Sequence, residues 1–574
     1  MSCYLIERSM SIFLSPHFLF LCYIFGIYEL QVAVEGCSHG ELDLIYEKVL
    51  ARERQEKAFF DVLLLCGDFQ AIRNHADLHS LAVPEKYRQL GSFWQYYAGV
   101  KRAPLLTLVI GGNHEASNYM YELYYGGWLA PNIYFLGEAG CVDVGDLIIS
   151  GISGIYKKHD YYRGRYERQP YNKNDLRSIY HTRLYDIERL KLLPKSDIVM
   201  SHDWPNTIEQ HGATQDLIKK KPFFAEEIRT ETLGSPPLLD LLQTLKPTLW
   251  CSAHLHVRFD AVYHHDSSGF RASGSKQSGP AQISASVAIS KAAADPNQIS
   301  IDDFDDSDDE MTAPVQPQTA TDSVKAVKDF GDGEEPLVPV NEVGTAVAPE
   351  VEGSTTALEE VSATEDEGSA VDAKTSQTTF LALGKCVNKQ TFLEFFDTKR
   401  DSNGNLKLSS SSASTGTDTL DPAKRRFPSL RFHAPWLAIV RALHPWLSLE
   451  AQQAALPSVD EIKNRIDEAN GWIEQNTALS GTTDGPSEGQ RHALDVGRIQ
   501  QFVPTAPPPP PESLRMKKLD LRRIPPTPPL VNPQTAAFCD FVGIDLRINT
   551  PIQGPPQLLE QSKVPQILPA QSDS

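Results

Sequence analysis

Five short apolar runs in the first half of the chain each lead into a residue that can hold a metal. Val32–Gly36 runs into Cys37-Ser38-His39, and Val62–Gly67 into Asp68. Leu105–Gly112 runs into Asn113-His114-Glu115, Ile198–Ser201 into His202, and Leu249–Ala253 into His254-Leu255-His256. A short apolar run closed by Gly or Ser reads as a buried strand ending in a turn. The seven candidate ligands are Cys37, His39, Asp68, Asn113, His202, His254 and His256. One thiol, four imidazoles, one carboxylate and one amide suffice for two divalent ions if one group bridges. Asp68 is the natural bridge, since a carboxylate has two oxygens and offsets part of the doubled charge. Two ions about 3.5–4 Å apart can clamp a phosphoryl group and activate water for in-line displacement. Singly, each residue is more simply a satisfied core side chain; as an ordered set they point to a binuclear metal centre.

The elements that must position these ligands are strands whose ends gather at one edge of a sheet, where α/β folds place their sites. The order Gly67-Asp68, Gly112-Asn113-His114-Glu115, Ser201-His202 and His254-Leu255-His256 resembles that of the calcineurin-like metallophosphoesterases. The Cys37-Ser38-His39 opening, where that superfamily usually has Asp-x-His, narrows the resemblance to the RNA lariat debranching enzymes. So do the Gly67–Ala71, Gly111–Tyr119, Gly126–Tyr134, Gly151–Tyr156 and Ser201–Pro205 segments. Ser38 departs from the cysteine expected there. The resemblance implies an α/β sandwich of two mixed β-sheets flanked by helices. It also implies that Cys37, His39, Asp68 and His256 hold one ion while Asp68, Asn113, His202 and His254 hold the other. A thiolate ligand favours zinc(II) or iron(II) over magnesium, with manganese(II) a further candidate.

The expected activity is hydrolysis of the 2′–5′ phosphodiester at the branch of an excised intron lariat, in mRNA processing and intron turnover. His114 is the candidate to protonate the departing 2′ oxygen, with Glu115 to orient it. Two rivals share part of the pattern. Another calcineurin-like phosphoesterase, a nuclease or nucleotide phosphodiesterase, would share the ligands without the Cys-x-His opening. A non-catalytic binding protein on a phosphatase fold would have shed ligands that this chain retains.

Between the third and fourth ligand strands, residues 157–183 carry eight Lys and Arg against three acids, with five tyrosines interleaved. Cations meet phosphates and aromatic faces stack on unpaired bases. Lys157, Lys158, Tyr161, Tyr162, Arg163, Arg165, Tyr166 and Arg168 are therefore the candidate RNA contacts. By resemblance, residues 153–183 are the lariat recognition loop.

The net charge of −20 is unevenly distributed: residues 266–372 hold 23 Asp and Glu against five Lys and Arg. Acidity thus belongs to one segment and does not exclude a nucleic-acid substrate for the rest. A Ser-, Ala- and acid-rich stretch nearly free of aromatics cannot offset its ordering entropy, so 266–375 reads as a disordered insertion. Residues 31–265 then form the catalytic domain and 376–475 a C-terminal domain by resemblance, through Phe380–Cys386 and Trp436–Arg441. Residues 476–574 read as a proline-rich, mostly disordered tail. The eight cysteines show no disulfide or zinc-finger spacing. Within residues 1–30, Ile12–Leu14 and Phe18–Tyr28 form an apolar stretch that is broken by Ser15-Pro16-His17 and short for a membrane helix. Residues 1–30 read as a mis-called start or retained non-coding sequence rather than a working signal. A nuclear protein is expected, with some in the cytoplasm, meeting branched RNA and no membrane. Splicing or intron-turnover proteins would dock on the proline-rich or acidic segments.

Overall fold

The computed structural model describes residues 29–265, 376–410, 420–421, 425–477, 493–515 and 520–550. The expectations for residues 1–28 and for the acidic insertion lie outside the described residues. Strands β1 (Gln31–Glu35), β2 (Val62–Leu65) and β3 (Leu106–Val109) are short and almost wholly buried, and they pair in parallel. Their side chains divide with the two-residue period of a strand. Val32, Val34, Val62 and Leu64 face the second sheet. Ala33, Leu63 and Leu65 face the helix Leu42–Glu56 through Leu42, Ile45 and Val49. Apolar residues on both faces are what a parallel sheet covered on both sides requires.

The first sheet continues through β4 (Gly127–Ala130) and β5 (Ile133–Phe135). The second contains β6 (Ala139–Val144), β7 (Leu147–Ile152), β8 (Ile198–Ser201), β9 (Leu249–Ser252) and β10 (Phe259–His265). The remaining strands are β11 (Ser376–Ala382), β12 (Leu393–Arg400), β13 (Leu406–Ser410) and β14 (Leu430–Phe432). The two seven-stranded sheets run β13-β12-β1-β2-β3-β5-β4 and β10-β11-β9-β8-β7-β6-β14. The expected sandwich of two mixed sheets is therefore present.

The C-terminal strands do not form a separate layer. β12 adds antiparallel to β1, and β11 lies between β9 and β10. Without them β1 and β9 would present unpaired backbone edges. The proline-rich reading from residue 476 also needs correcting for the described part of 493–550. Gln500, Asn532, Gln534 and Thr535 are buried, and Pro533–Val542 is a helix. Proline lacks a donor but keeps its carbonyl, and this segment uses that asymmetry. Asn74 Nδ2 donates to the Pro507 carbonyl at 2.8 Å, and Tyr97 OH to that of Ala506 at 3.1 Å. Among the described residues no helix is long and apolar enough to cross a membrane.

Candidate metal centre

Cys37, His39, Asp68 and His256 converge at the C-terminal ends of β1, β2 and β9, with one ligand atom of each within 4.8 Å of the others. His39 Nε2 and His256 Nε2 face each other at 3.1 Å, and His39 Nε2 lies 3.5 Å from Asp68 Oδ2. On the other side of Asp68, His202 Nε2 lies 3.3 Å from Asp68 Oδ1 and 3.1 Å from Asn113 Oδ1. The His254 ring is 5.0 Å from that of His202, and the His254 amide donates to Cys37 Sγ at 3.0 Å. Asp68 thus stands between two groups of donors, as a bridging carboxylate must.

The donor chemistry fits a pair of cations. His202 Nδ1 is 2.8 Å from the Cys66 carbonyl, which can only accept. That leaves Nε2 as a lone pair aimed at two oxygen acceptors, an arrangement stable only with a proton or a metal between them. Burial alone would lower the His202 imidazole, but the Asp68 carboxylate beside it outweighs that and lifts it to about 9. Burial would likewise raise Asp68, and His202, His114 and His39 instead hold it well below the usual carboxylate range. Burial keeps His39 and His256 well below the ordinary imidazole value, so both present neutral nitrogens. In one group neutral imidazole nitrogens face each other and in the other an imidazole faces two oxygens, and each arrangement suits a cation, a proton or a metal ion, at its middle.

The backbone at these positions is strained. His39, Asp68, His254 and His256 have φ of +43°, +48°, +64° and +49°. Left-handed backbone costs a residue with a Cβ about 1–2 kcal/mol, a cost that clusters at functional sites. At Gly112 the constraint is spatial: a Cβ there would lie 2.2 Å from Asp68 Oδ1. The Asp68 loop is gripped from behind by Glu115, whose carboxylate accepts from the amides of Phe69 at 2.7 Å, Gln70 at 2.7 Å and Gly112 at 3.0 Å. Burial and the neighbouring Asp68 push the Glu115 carboxyl up to about 7, against the pull of those three donors. Glu115 therefore positions the bridging loop, a different task from the expected orientation of His114. His114 itself lies at the rim, with Nδ1 3.8 Å from Asp68 Oδ2 and its ring 5.4 Å from that of His39.

Sequence reasoning passed over Glu35, an acid in an otherwise apolar buried strand. It lies beneath the centre, where burial pushes it up to about 8. Ser38 Oγ donates to its Oε2 at 2.7 Å, so the departure at Ser38 supplies a partner for a buried carboxyl.

The candidate RNA contacts separate into two groups. Lys158, Tyr162 and Arg168 are exposed, and Lys157, Arg163 and Tyr166 are half-buried. Arg163 stacks 4.4 Å from the Tyr166 ring centre. Arg165 and Tyr161 are interior, a correction to the expected set. The Arg165 guanidinium pairs with Glu138 at 2.7 Å and Asp186 at 2.8 Å, and Tyr161 packs edge-on to Tyr156. Arg165 neutralises two buried acids distant in sequence, which local composition does not reveal. His159, Asp160 and His181 also gather. There Asp160 already faces Arg163 at 3.1 Å and Arg183 at 3.8 Å, which repel a further cation.

Comparison with known proteins matches residues 30–258 to the calcineurin-like phosphoesterase model, and residues 375–547 to the lariat debranching enzyme C-terminal domain. The lariat debranching enzyme of Schizosaccharomyces pombe is 34% identical over 541 residues, covering 93% of this chain and all of that protein. The chain belongs to the lariat debranching enzyme family. The human lariat debranching enzyme is 55% identical over 237 residues, 41% of this chain and 44% of that protein. The enzyme of Arabidopsis thaliana is 51% identical over 241 residues, 42% of this chain and 58% of its own. The family's C-terminal model ends at residue 547, so the debranching-enzyme region takes in the proline-rich segment that packs on the first sheet.

Proposed function

We propose that this protein is a metal-dependent phosphodiesterase that hydrolyses the 2′–5′ bond at the branch of intron lariat RNA. The observation that carries the reading is the Cys37, His39, Asp68 and His256 cluster, in a chain whose C-terminal strands extend both sheets. Cys37, His39, Asp68 and His256 would hold one ion, and Asp68, Asn113, His202 and His254 the other. Divalent ions bound there supply positive charge to the phosphoryl oxygens and lower the pKa of water. The thiolate at Cys37 favours iron(II) or zinc(II), with manganese(II) as a harder substitute.

The protein's own groups do the rest. The Cys66 carbonyl fixes the His202 tautomer, and Glu115 fixes the loop that carries Asp68. His114, at the rim beside Asp68, delivers a proton to the departing 2′ oxygen. Lys157, Lys158, Tyr162, Arg163, Tyr166 and Arg168 bind the RNA, with Arg165 and Tyr161 holding their segment in place. The substrate and this role in intron turnover imply a nuclear location. Splicing-associated partners would dock on the acidic or proline-rich segments.

The test is cleavage of a synthetic branched RNA against linear 3′–5′ RNA and a cyclic nucleotide, with metal content measured on the same preparation. Selective cleavage of the branched substrate by metal-loaded protein is expected. Preference for linear RNA or the cyclic nucleotide would make the chain a different phosphoesterase, and metal-free protein would make it a scaffold.

A further inference from the structure

The C-terminal segment contributes a cation to the metal edge. The Cys37 amide donates to the Gly384 carbonyl at 3.2 Å, and the Cys386 amide to the Cys37 carbonyl at 3.0 Å. Cys37 and Lys385 are therefore partners in a parallel bridge. Bridge partners direct their side chains to the same face of a sheet. Cys37 presents its sulfur to the centre, so Lys385 rises beside it on the centre's side. Its backbone is held tightly: the Lys385 amide donates to Gln390 Oε1 at 2.9 Å. The strands also approach so closely that a Cβ on Gly36 would lie 2.3 Å from the Gly384 carbonyl oxygen.

Lys385 is half-buried. Among the described residues its ammonium has no hydrogen bond or ion pair, and its charge opposes protonation of both His39 and His256. Lys385 thus brings a positive charge to the Cys37–His39–His256 flank. The 153–183 segment lies on the other flank. There the Gly154 amide donates to the Gly111 carbonyl at 2.9 Å, and the Tyr156 amide to Asp203 at 3.2 Å.

A fixed lysine beside a site for two divalent ions is unfavourable in isolation, because like charges repel. An arriving polyanion reverses that balance. A branched RNA leaves its cleaved phosphodiester in more than one direction, so it carries other phosphates past both flanks of the centre. We infer that Lys385 binds a non-scissile phosphate of the branched RNA and positions that strand on the flank opposite the Tyr/Arg segment. The inference rests on the branched-RNA reading above. It makes the C-terminal segment part of substrate recognition in addition to its role in the fold.

The experiment compares wild type with Lys385→Gln and Lys385→Arg. Three readouts apply: cleavage of branched RNA across a salt series, hydrolysis of bis(p-nitrophenyl) phosphate, and metal content. Equilibrium binding of a branched RNA with a non-cleavable 2′–5′ linkage is measured alongside. Lys385→Gln should raise KM for branched RNA about tenfold, the scale of one charged hydrogen bond, with kcat little changed. Its slope of log affinity against log salt should be shallower by about 0.7, the release from one single-stranded phosphate contact. Lys385→Arg should retain most of the binding, and small-ester turnover and metal content should stay at wild-type values in all variants.

Equal losses on branched RNA and the small ester, or an unchanged salt slope, would overturn the inference and leave Lys385 a structural residue. If wild type binds the branched RNA but does not cleave it, the functional reading fails. The binding arm then still decides whether Lys385 meets a phosphate.

Discussion

At the metal edge each functional side chain sits within a few residues of the strand that carries it, whereas the 493–550 segment is held by partners hundreds of residues away. Cys37, Asp68, His202 and His254 follow β1, β2, β8 and β9 directly. Gln500, by contrast, donates from Nε2 to the Gly126 carbonyl and accepts from Tyr134 OH at 2.9 Å each. Thr505 joins Arg73 and Glu122 in a buried cluster, donating to Glu122 at 2.8 Å and accepting from Arg73 at 2.7 Å. The edge gathers nitrogen, oxygen and sulfur donors that need a cation among them. The tail segment satisfies each polar group on arrival. One region holds strain for function, and the other supplies the cohesion that lets the strain persist.

The comparison is tested most severely at Asp68. Asp68→Ala removes the one carboxylate shared by both donor groups, so both ions should be lost and turnover should fall further than in any other variant. Retained metal, measured by elemental analysis, would show that Asp68 is not the bridge. His114→Ala comes next. With His114 at the rim, turnover should fall about 10²–10⁴-fold, the usual contribution of a general acid, while metal content holds. Loss of both ions in that variant would make His114 a ligand.

How much of this was legible follows from the same contrast. Apolar runs ending in Cys37, Asp68, Asn113, His202 and His254 could be read because strand, turn and candidate ligand are contiguous. Positive φ at His39 and His256 could not be read, since nothing in a histidine announces left-handed backbone. Arg165 looked like its neighbours Arg163 and Arg168, and only the buried Glu138 and Asp186 across the fold distinguish it. The tail was misread because prolines signal extended chain, while the carbonyls of Ala506 and Pro507 are claimed by Tyr97 and Asn74, far away in sequence. Lys385 escaped notice for the same reason: its proximity to Cys37 is made by a β-bridge across the fold and not by a motif.

A smaller effect, on stability and not on chemistry, is expected at Gln500. Its side chain is fully buried and bonds to Tyr134, Gly126 and Gln534. Gln500→Ala would leave the Gly126 carbonyl and the Tyr134 hydroxyl short of a partner, at about 1–3 kcal/mol for each unsatisfied group. Thermal unfolding should show the loss while metal content and turnover of the folded fraction stay near wild type. An unchanged midpoint would mean that the segment rests on the first sheet without supporting it.

The smallest effect is expected from removing the acidic insertion, and the sheet register says why. β10 and β11 are antiparallel neighbours, and His265 is paired with Ser376, the two residues that bracket 266–375. The ends of the insertion are therefore already opposite each other, at the spacing a tight hairpin turn spans. Replacing 266–375 with a short Asn-Gly turn should keep every strand pair in place. Each halving of loop length relieves about 0.6 kcal/mol of closure entropy, so the unfolding midpoint should hold or rise slightly. Removing a balance of −18 between residues 266 and 372 also removes repulsion towards RNA, which should leave kcat unchanged and KM for branched RNA equal or lower. A clear fall in kcat on a short branched oligonucleotide would mean that the insertion reaches the metal edge, and the division between a self-sufficient site and a dispensable segment would fail.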